Sequence, residues 1–261
     1  MTEISAAMVK QLRDATSAGM MDCKRALQET AGDYDAAVLL LREKGMASAA
    51  KRADRETTEG VVLTRVDGST AAIAAVGCET EPVSKNDDFR AFADAVLSTV
   101  FDDGDSGDLE EQRVDLTARL GENIQVVGSK RLTASDGEVF ATYVHPPANK
   151  VGVIVLGKGP VDAARQLAMH ISFSKPTYTD RDEVPADLVA TEREILSKQP
   201  DVESKPADIR EKIVDGMINK KFFAESVLKE QAWIHDAGLT VSKALADAGF
   251  ELVDYAWYSV G

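Results

Sequence analysis

Near the start of the chain, apolar residues recur at helical spacing. Ile4, Met8, Leu12 and Ala15 form one series, and Cys23, Ala26, Leu27 and Thr30 a second after a break at Ser17-Ala18-Gly19. A third, Tyr34, Ala37, Val38 and Leu41, begins behind Asp33 as N-cap and is expected to close at Arg42, Lys44 and Gly45. A bundle this short is marginal by itself. Lys51, Arg52 and Arg55 follow in a polar stretch that reads as a solvated connector.

Beyond Thr58 the period changes to that of strands. Residues 60–66 and 70–76 flank Asp67-Gly68-Ser69, a hairpin turn, and a helix follows with Phe89, Phe92, Ala93, Val96, Leu97 and Val100 on one face. An acidic loop over 102–108, a helix through Leu116 and Leu120 and a strand over 123–132 complete this part. The second half repeats the order. Strands over 138–145 and 151–156 precede a helix carrying Val161, Ala164, Leu167, Ala168 and Ile171. A helix through Val241, Ala244, Leu245 and Ala248 and a strand over 250–260 end the chain. Between Pro185 and Ile234 lies an insertion of helix formers, broken at Gln199-Pro200 and Lys205-Pro206, which reads as a projecting helical hairpin.

The expected fold class is α+β: a small three-helix bundle, then a core of two α+β subdomains with small antiparallel sheets, the second carrying the helical hairpin. The boundaries fall at 1–54 for bundle and linker, 55–136 for the first core subdomain and 137–261 for the second, with the insertion at about 185–234.

Composition narrows the function. The 261 residues are 44% hydrophobic and 28% charged, an ordinary globular balance, with 30 Lys plus Arg against 44 Asp plus Glu and a net charge of -14. Such a chain repels phosphate backbones, so direct nucleic-acid binding is not expected. No apolar run approaches the ~18 residues of a membrane span, and the N-terminus has no signal-peptide core. Cys23 and Cys78 alone make no disulfide framework, which points to a reducing, cytoplasmic setting.

Chemistry is sparse. Residues 152–158 (GVIVLGK) approach a phosphate-binding loop, but Gly159 stands where the magnesium-binding Ser or Thr belongs, and the intervening residues form strands. The acidic loop lacks the closing bidentate Glu of a calcium loop. Cys78, ending an apolar strand, reads as packing, and His170, one position before Ile171, as a helix-edge residue. No zinc spacing or catalytic constellation appears among His145, His170, His235 and the cysteines, so neither an enzyme nor a cofactor is called for. Met20-Met21 differs in kind. Two polarizable side chains at a bend between helices suit either the bundle core or a partner, and the sequence leaves both open.

At this bend a resemblance emerges. Val9-Lys-Gln-Leu-Arg13, Thr16-Ser-Ala-Gly-Met-Met-Asp-Cys-Lys-Arg-Ala-Leu27 and Gly32-Asp33 before Ala36-Ala37 resemble the N-terminal domain of bacterial translation elongation factor Ts. The likeness continues through Cys78-Glu-Thr-Glu-Pro-Val-Ser-Lys-Asn86, Phe92-Ala-Asp94, Gly121-Glu-Asn-Ile124, Ala168-Met-His170 with Ser174-Lys-Pro176, and Lys212-Ile-Val-Asp-Gly216. It implies a guanine-nucleotide exchange factor for the GTPase elongation factor Tu, acting by differential binding. It further implies partner contacts at Arg13, Met20, Met21 and His170. A magnesium-dislocating motif is implied at Thr80, Glu81, Pro82 and Val83, where the family has Thr-Asp-Phe-Val with the aromatic as a wedge. Here the carboxylate is one methylene longer, Pro82 replaces the aromatic, Ser17 replaces a glycine, and the closing strand Tyr255-Ala-Trp-Tyr-Ser-Val260 departs from the family's Phe, Arg and Glu pattern. A binding-only stabiliser of elongation factor Tu with weak exchange is therefore the alternative. A dimer through the helical hairpin is a further option.

Overall fold

The computed structural model describes residues 4–16 and 18–261; Ser17 lies outside the described residues. The chain divides into two compact units. One runs to Arg131 and adds Val144–Gly152 and Tyr258–Gly261; the other comprises Leu132–Tyr143 and Val153–Trp257.

The first unit begins with α1 (Ala6–Thr16), α2 (Met20–Glu29) and α3 (Tyr34–Ala50). Val9, Leu12, Cys23, Ala26, Leu27 and Ala37 close a small core between them. Asp33 caps α3 as expected, its carboxylate accepting the Ala36 N–H at 3.0 Å. The expected stop at Gly45 is corrected: α3 continues past it to Ala50. The glycine serves a close approach instead, since a Cβ there would lie 3.2 Å from the Ala118 Cβ on α6 (Glu110–Leu120). The connector is likewise anchored, with Asn123 Nδ2 donating to the carbonyls of Ala53 and Arg55.

Strands β1 (Glu59–Asp67) and β2 (Thr70–Cys78) pair antiparallel from Glu59↔Cys78 to Asp67↔Thr70, leaving Gly68-Ser69 as the turn. With β3 (Gln125–Thr133) they form a sheet in the order β1-β2-β3. A short α4 (Glu81–Ser84) leads into α5 (Asp87–Asp103), capped by Asn86, which accepts from the N–H groups of Asp88 and Phe89. The six apolar residues expected on one face are the buried residues of α5, and they cover Val61, Ala72, Ala74 and Val76 of the sheet.

In the second unit β4 (Glu138–Val144), β5 (Val151–Lys158) and β8 (Glu251–Ser259) form a sheet in the order β4-β5-β8, which repeats the first in topology. The α+β class with small antiparallel sheets is thus the observed one. The phosphate-loop look-alike is the buried strand β5, where a Cβ on Gly157 would strike the Glu251 carbonyl at 2.4 Å. Helix α7 (Val161–Ser174) packs its buried face on this sheet together with Val241 and Leu245 of α12 (Val241–Ala248).

The insertion holds α8 (Ala186–Ser197), α9 (Pro200–Glu203), α10 (Ala207–Met217), a π-helical turn at Ile218–Phe223 and α11 (Ala224–Ser226). Both expected breaks are helix starts, with Pro200 in the first turn of α9 and Pro206 before α10. Val184, Leu196, Val202, Val214, Ile218, Phe223 and Val227 give the segment its own core. Leu228 and Trp233 instead join the core under α7, and a small hairpin, β6 (Ala232–Trp233) and β7 (Asp236–Thr240), begins where the sequence suggested more helix. Replacing residues 186–224 by a short linker is therefore expected to preserve a cooperative thermal transition. Extending the excision to 234 removes Leu228 and Trp233 and is expected to abolish it. Melting curves of the two deletions check this.

Candidate functional site

On either side of Ser17 the chain is tied to the bundle, while the start of α2 is exposed. The Cys23 thiol, buried, donates to the Ala18 carbonyl at 3.7 Å, and Thr16 Oγ1 donates to the Leu12 carbonyl at 2.7 Å. Met20 and Met21 open α2 and are 57% and 62% exposed, so neither fills the bundle core. Arg13, in the last turn of α1, is exposed and makes no ion pair among the described residues. Exposed thioethers at the start of α2 and an exposed guanidinium in the last turn of α1 are groups that can take up irregular apolar and anionic surface.

The segment Thr80–Val83 lies in the same unit, where β2 hands over to α4. Thr80 is the N-cap position, and Pro82 fits the first helical turn, where its fixed φ and missing N–H cost nothing. Its hydrogen-bonding groups are all engaged. The N–H and hydroxyl donate to the Glu122 carboxylate at 3.0 and 2.5 Å, and the carbonyl accepts from Ser84 N–H at 3.1 Å and from the Cys78 thiol at 3.4 Å. Glu81 and Pro82 point to solvent, while half-buried Val83 packs against the core of the unit. The Lys85 ammonium, 2.6 Å from the Glu81 carboxylate, holds that carboxyl below the usual range. Burial, reinforced by the Glu122 charge, pushes the Cys78 thiol up to about 12, so it is a packing residue and not a nucleophile.

His170 lies in the second unit, and the helix-edge expectation is corrected: it is 0% exposed. The β6–β7 hairpin covers it. Its Nδ1 accepts the Ile234 N–H at 3.3 Å, so Nε2 carries the proton and donates to Gln231 Oε1 at 2.9 Å. The ring stacks on Trp233 at 5.1 Å. Gln231 Nε2 donates onward to the Glu225 carbonyl at 2.7 Å. His170 thus offers no surface of its own but holds a hairpin whose tip, Ile234 and His235, is exposed.

Arg13, Met20, Met21 and the Thr80–Val83 loop therefore share one unit, and His170 belongs to the other. Sequence reasoning gave no role to Glu122 or Gln231, because each acts on groups that the sequence pattern does not bring near it. Among the described residues no cluster of three or more His, Cys, Asp or Glu can hold a metal ion, and no helix is long and apolar enough to cross a membrane.

Comparison with known proteins agrees with the resemblance. Residues 79–261 match the family described as "Elongation factor TS". Elongation factor Ts of Methylococcus capsulatus is 40% identical over 274 residues, covering 99% of this chain and 92% of its own length. Those of Idiomarina loihiensis and Rhodospirillum rubrum are 39% and 40% identical over 270 and 276 residues, covering 99% and 97% of this chain and 91% and 89% of their own lengths.

Burial holds His170 below the ordinary imidazole value of 6.5, favouring the neutral ring in the folded state. A depressed pKa contributes stability that is present above 6.5 and is lost as pH falls from there toward the folded-state value. Urea unfolding at stepped pH is expected to show a steeper loss below 6.5 in the parent than in His170→Gln. Equal slopes would assign the acid sensitivity to other groups.

Proposed function

The chain belongs to the elongation factor Ts family, and on that premise we propose that it promotes GDP release from the translational GTPase elongation factor Tu. The observation that carries the reading is the Thr80–Val83 loop: pinned through every polar group of Thr80, it projects Glu81 and Pro82 outward. A protein that prefers the nucleotide-free GTPase must weaken GDP binding by the same coupling free energy. A rigid protrusion can supply that preference, because magnesium and phosphate sites tolerate little displacement of their ligands. The chain makes and breaks no covalent bond in this role.

Docking is assigned to Met20, Met21 and Arg13, whose exposure supports the reading. The hairpin held by His170 is a second support, with the imidazole acting as an anchor behind the surface. The acidic chain and the absence of a membrane-length helix among the described residues fit a protein partner better than a nucleic acid or a bilayer.

Pro82 favours a second reading, in which the chain binds the GTPase and stabilises it with little exchange. A pyrrolidine ring has less area than a phenyl ring with which to displace neighbours. Stopped-flow release of labelled GDP at fixed magnesium separates the two. In the exchange reading Pro82→Phe raises the release rate and Glu81→Ala lowers it, each with a smaller change in affinity. A Pro82→Phe variant no faster than the parent would contradict a wedge at this position.

Replacing both Met20 and Met21 by Ala is expected to weaken the complex by ~1–4 kcal/mol, the range of interface anchors. Calorimetric titration against nucleotide-free elongation factor Tu measures it. Unchanged affinity in a folded variant would remove the bend from the interface.

A further inference from the structure

Two acidic side chains in the first unit exchange backbone partners. Glu122 Oε2 accepts the N–H groups of Glu79 and Thr80, both at 3.0 Å, and its Oε1 accepts the Thr80 hydroxyl at 2.5 Å. In return Glu79 Oε1 accepts the Asn123 N–H at 2.7 Å. Each carboxylate thus satisfies the backbone beside the other. The clasp reaches further, because Glu79 also meets Arg55 at 3.3 Å, and buried Asn123 donates to the carbonyls of Ala53 at 3.3 Å and Arg55 at 2.8 Å.

The chemistry of this arrangement is specific. Three donors converge on one carboxylate, which has acceptor sites only, and charge-assisted bonds of this kind exceed neutral ones in strength. Regular structure supplies no substitute, since β2 has ended at Cys78 and α4 has not begun until Glu81. Without Glu122 the N–H groups of Glu79 and Thr80 and the Thr80 hydroxyl lose their acceptor, and the direction of Glu81 and Pro82 is held only by the bonds to the Thr80 carbonyl and the packing of Val83.

We infer that Glu122 is a positioning residue for nucleotide exchange. It presets the Glu81–Pro82 protrusion, and the reciprocal Glu79–Asn123 bond ties that setting to the connector behind the N-terminal helices. The inference rests on the exchange reading above. It gives Thr80 a role different from contact: its groups anchor the loop and leave none for the partner.

The test compares the parent with Glu122→Gln, Thr80→Val and Thr80→Ser, following labelled GDP release from elongation factor Tu across a range of chain concentrations. Glu122→Gln puts an amide NH2 against converging donors. The plateau rate is expected to fall roughly 10-fold, as for other losses of preset geometry, while the half-saturating concentration moves far less. Thr80→Val, which removes one donor, is expected to lower the plateau by a smaller factor, and Thr80→Ser to recover most of that loss. Amide resonances of Glu79 and Thr80 report whether the loop has moved. A parent plateau in Glu122→Gln with those resonances displaced would overturn the inference, as would equal plateaus in Thr80→Val and Thr80→Ser. A fall in thermal stability with proportional changes in both kinetic quantities would also overturn it, reducing the clasp to a structural staple. If Glu122→Gln does not fold, the two Thr80 variants decide. A parent that fails to accelerate release would sink the exchange reading itself, and this inference with it.

Discussion

Backbone N–H groups at Glu79, Thr80 and Asn123 lie in gaps between regular elements, and a donor left unpaired in such a place costs about 1–3 kcal/mol. The chain meets the requirement with two carboxylates, Glu122 and Glu79, each serving the other's turn. Much of the first unit follows from that exchange. The end of β2, the start of α4 and the connector all meet there. Cys78 belongs to the same knot, its thiol held protonated by burial and bonded to the Thr80 carbonyl.

Periodic patterns made most of the fold legible. The apolar face of α5, the hairpin of β1 and β2 and the order of hairpin, helix and later strand in both halves are signals carried by sequence pattern, and all are present in the structure. Features that depend on a distant neighbour were not legible. Gly45 has the residue type of a helix stop, and only the nearness of Ala118 explains why α3 runs through it. His170 sits beside an apolar position on its helix, but its burial comes from a hairpin about sixty residues later that the pattern did not distinguish from helix. Of the two places that composition left open for Met20 and Met21, their exposure removes the bundle core, whereas the acceptor role of Glu122 has no local signature.

These observations make the Thr80–Val83 loop a fixed projection on a well-packed unit. Proline suits that design, since it completes the first turn of α4 and adds stiffness where the family has aromatic bulk. The proposed exchange activity then depends on direction more than size. A carboxylate at Glu81, paired with Lys85, follows a residue whose N–H, hydroxyl and carbonyl are all hydrogen-bonded. Coupling between partner binding and nucleotide loss requires such stiffness, because a loop that yields transmits no preference between states.

On the proposed function this chain, as it stands, lowers the affinity of elongation factor Tu for GDP by binding it. The most direct measurement is the release rate of labelled GDP from elongation factor Tu as the parent chain is titrated at fixed magnesium. The rate is expected to rise with chain concentration and to saturate well above spontaneous release. A complex that forms, by calorimetry, while GDP leaves at the spontaneous rate throughout the titration would contradict it.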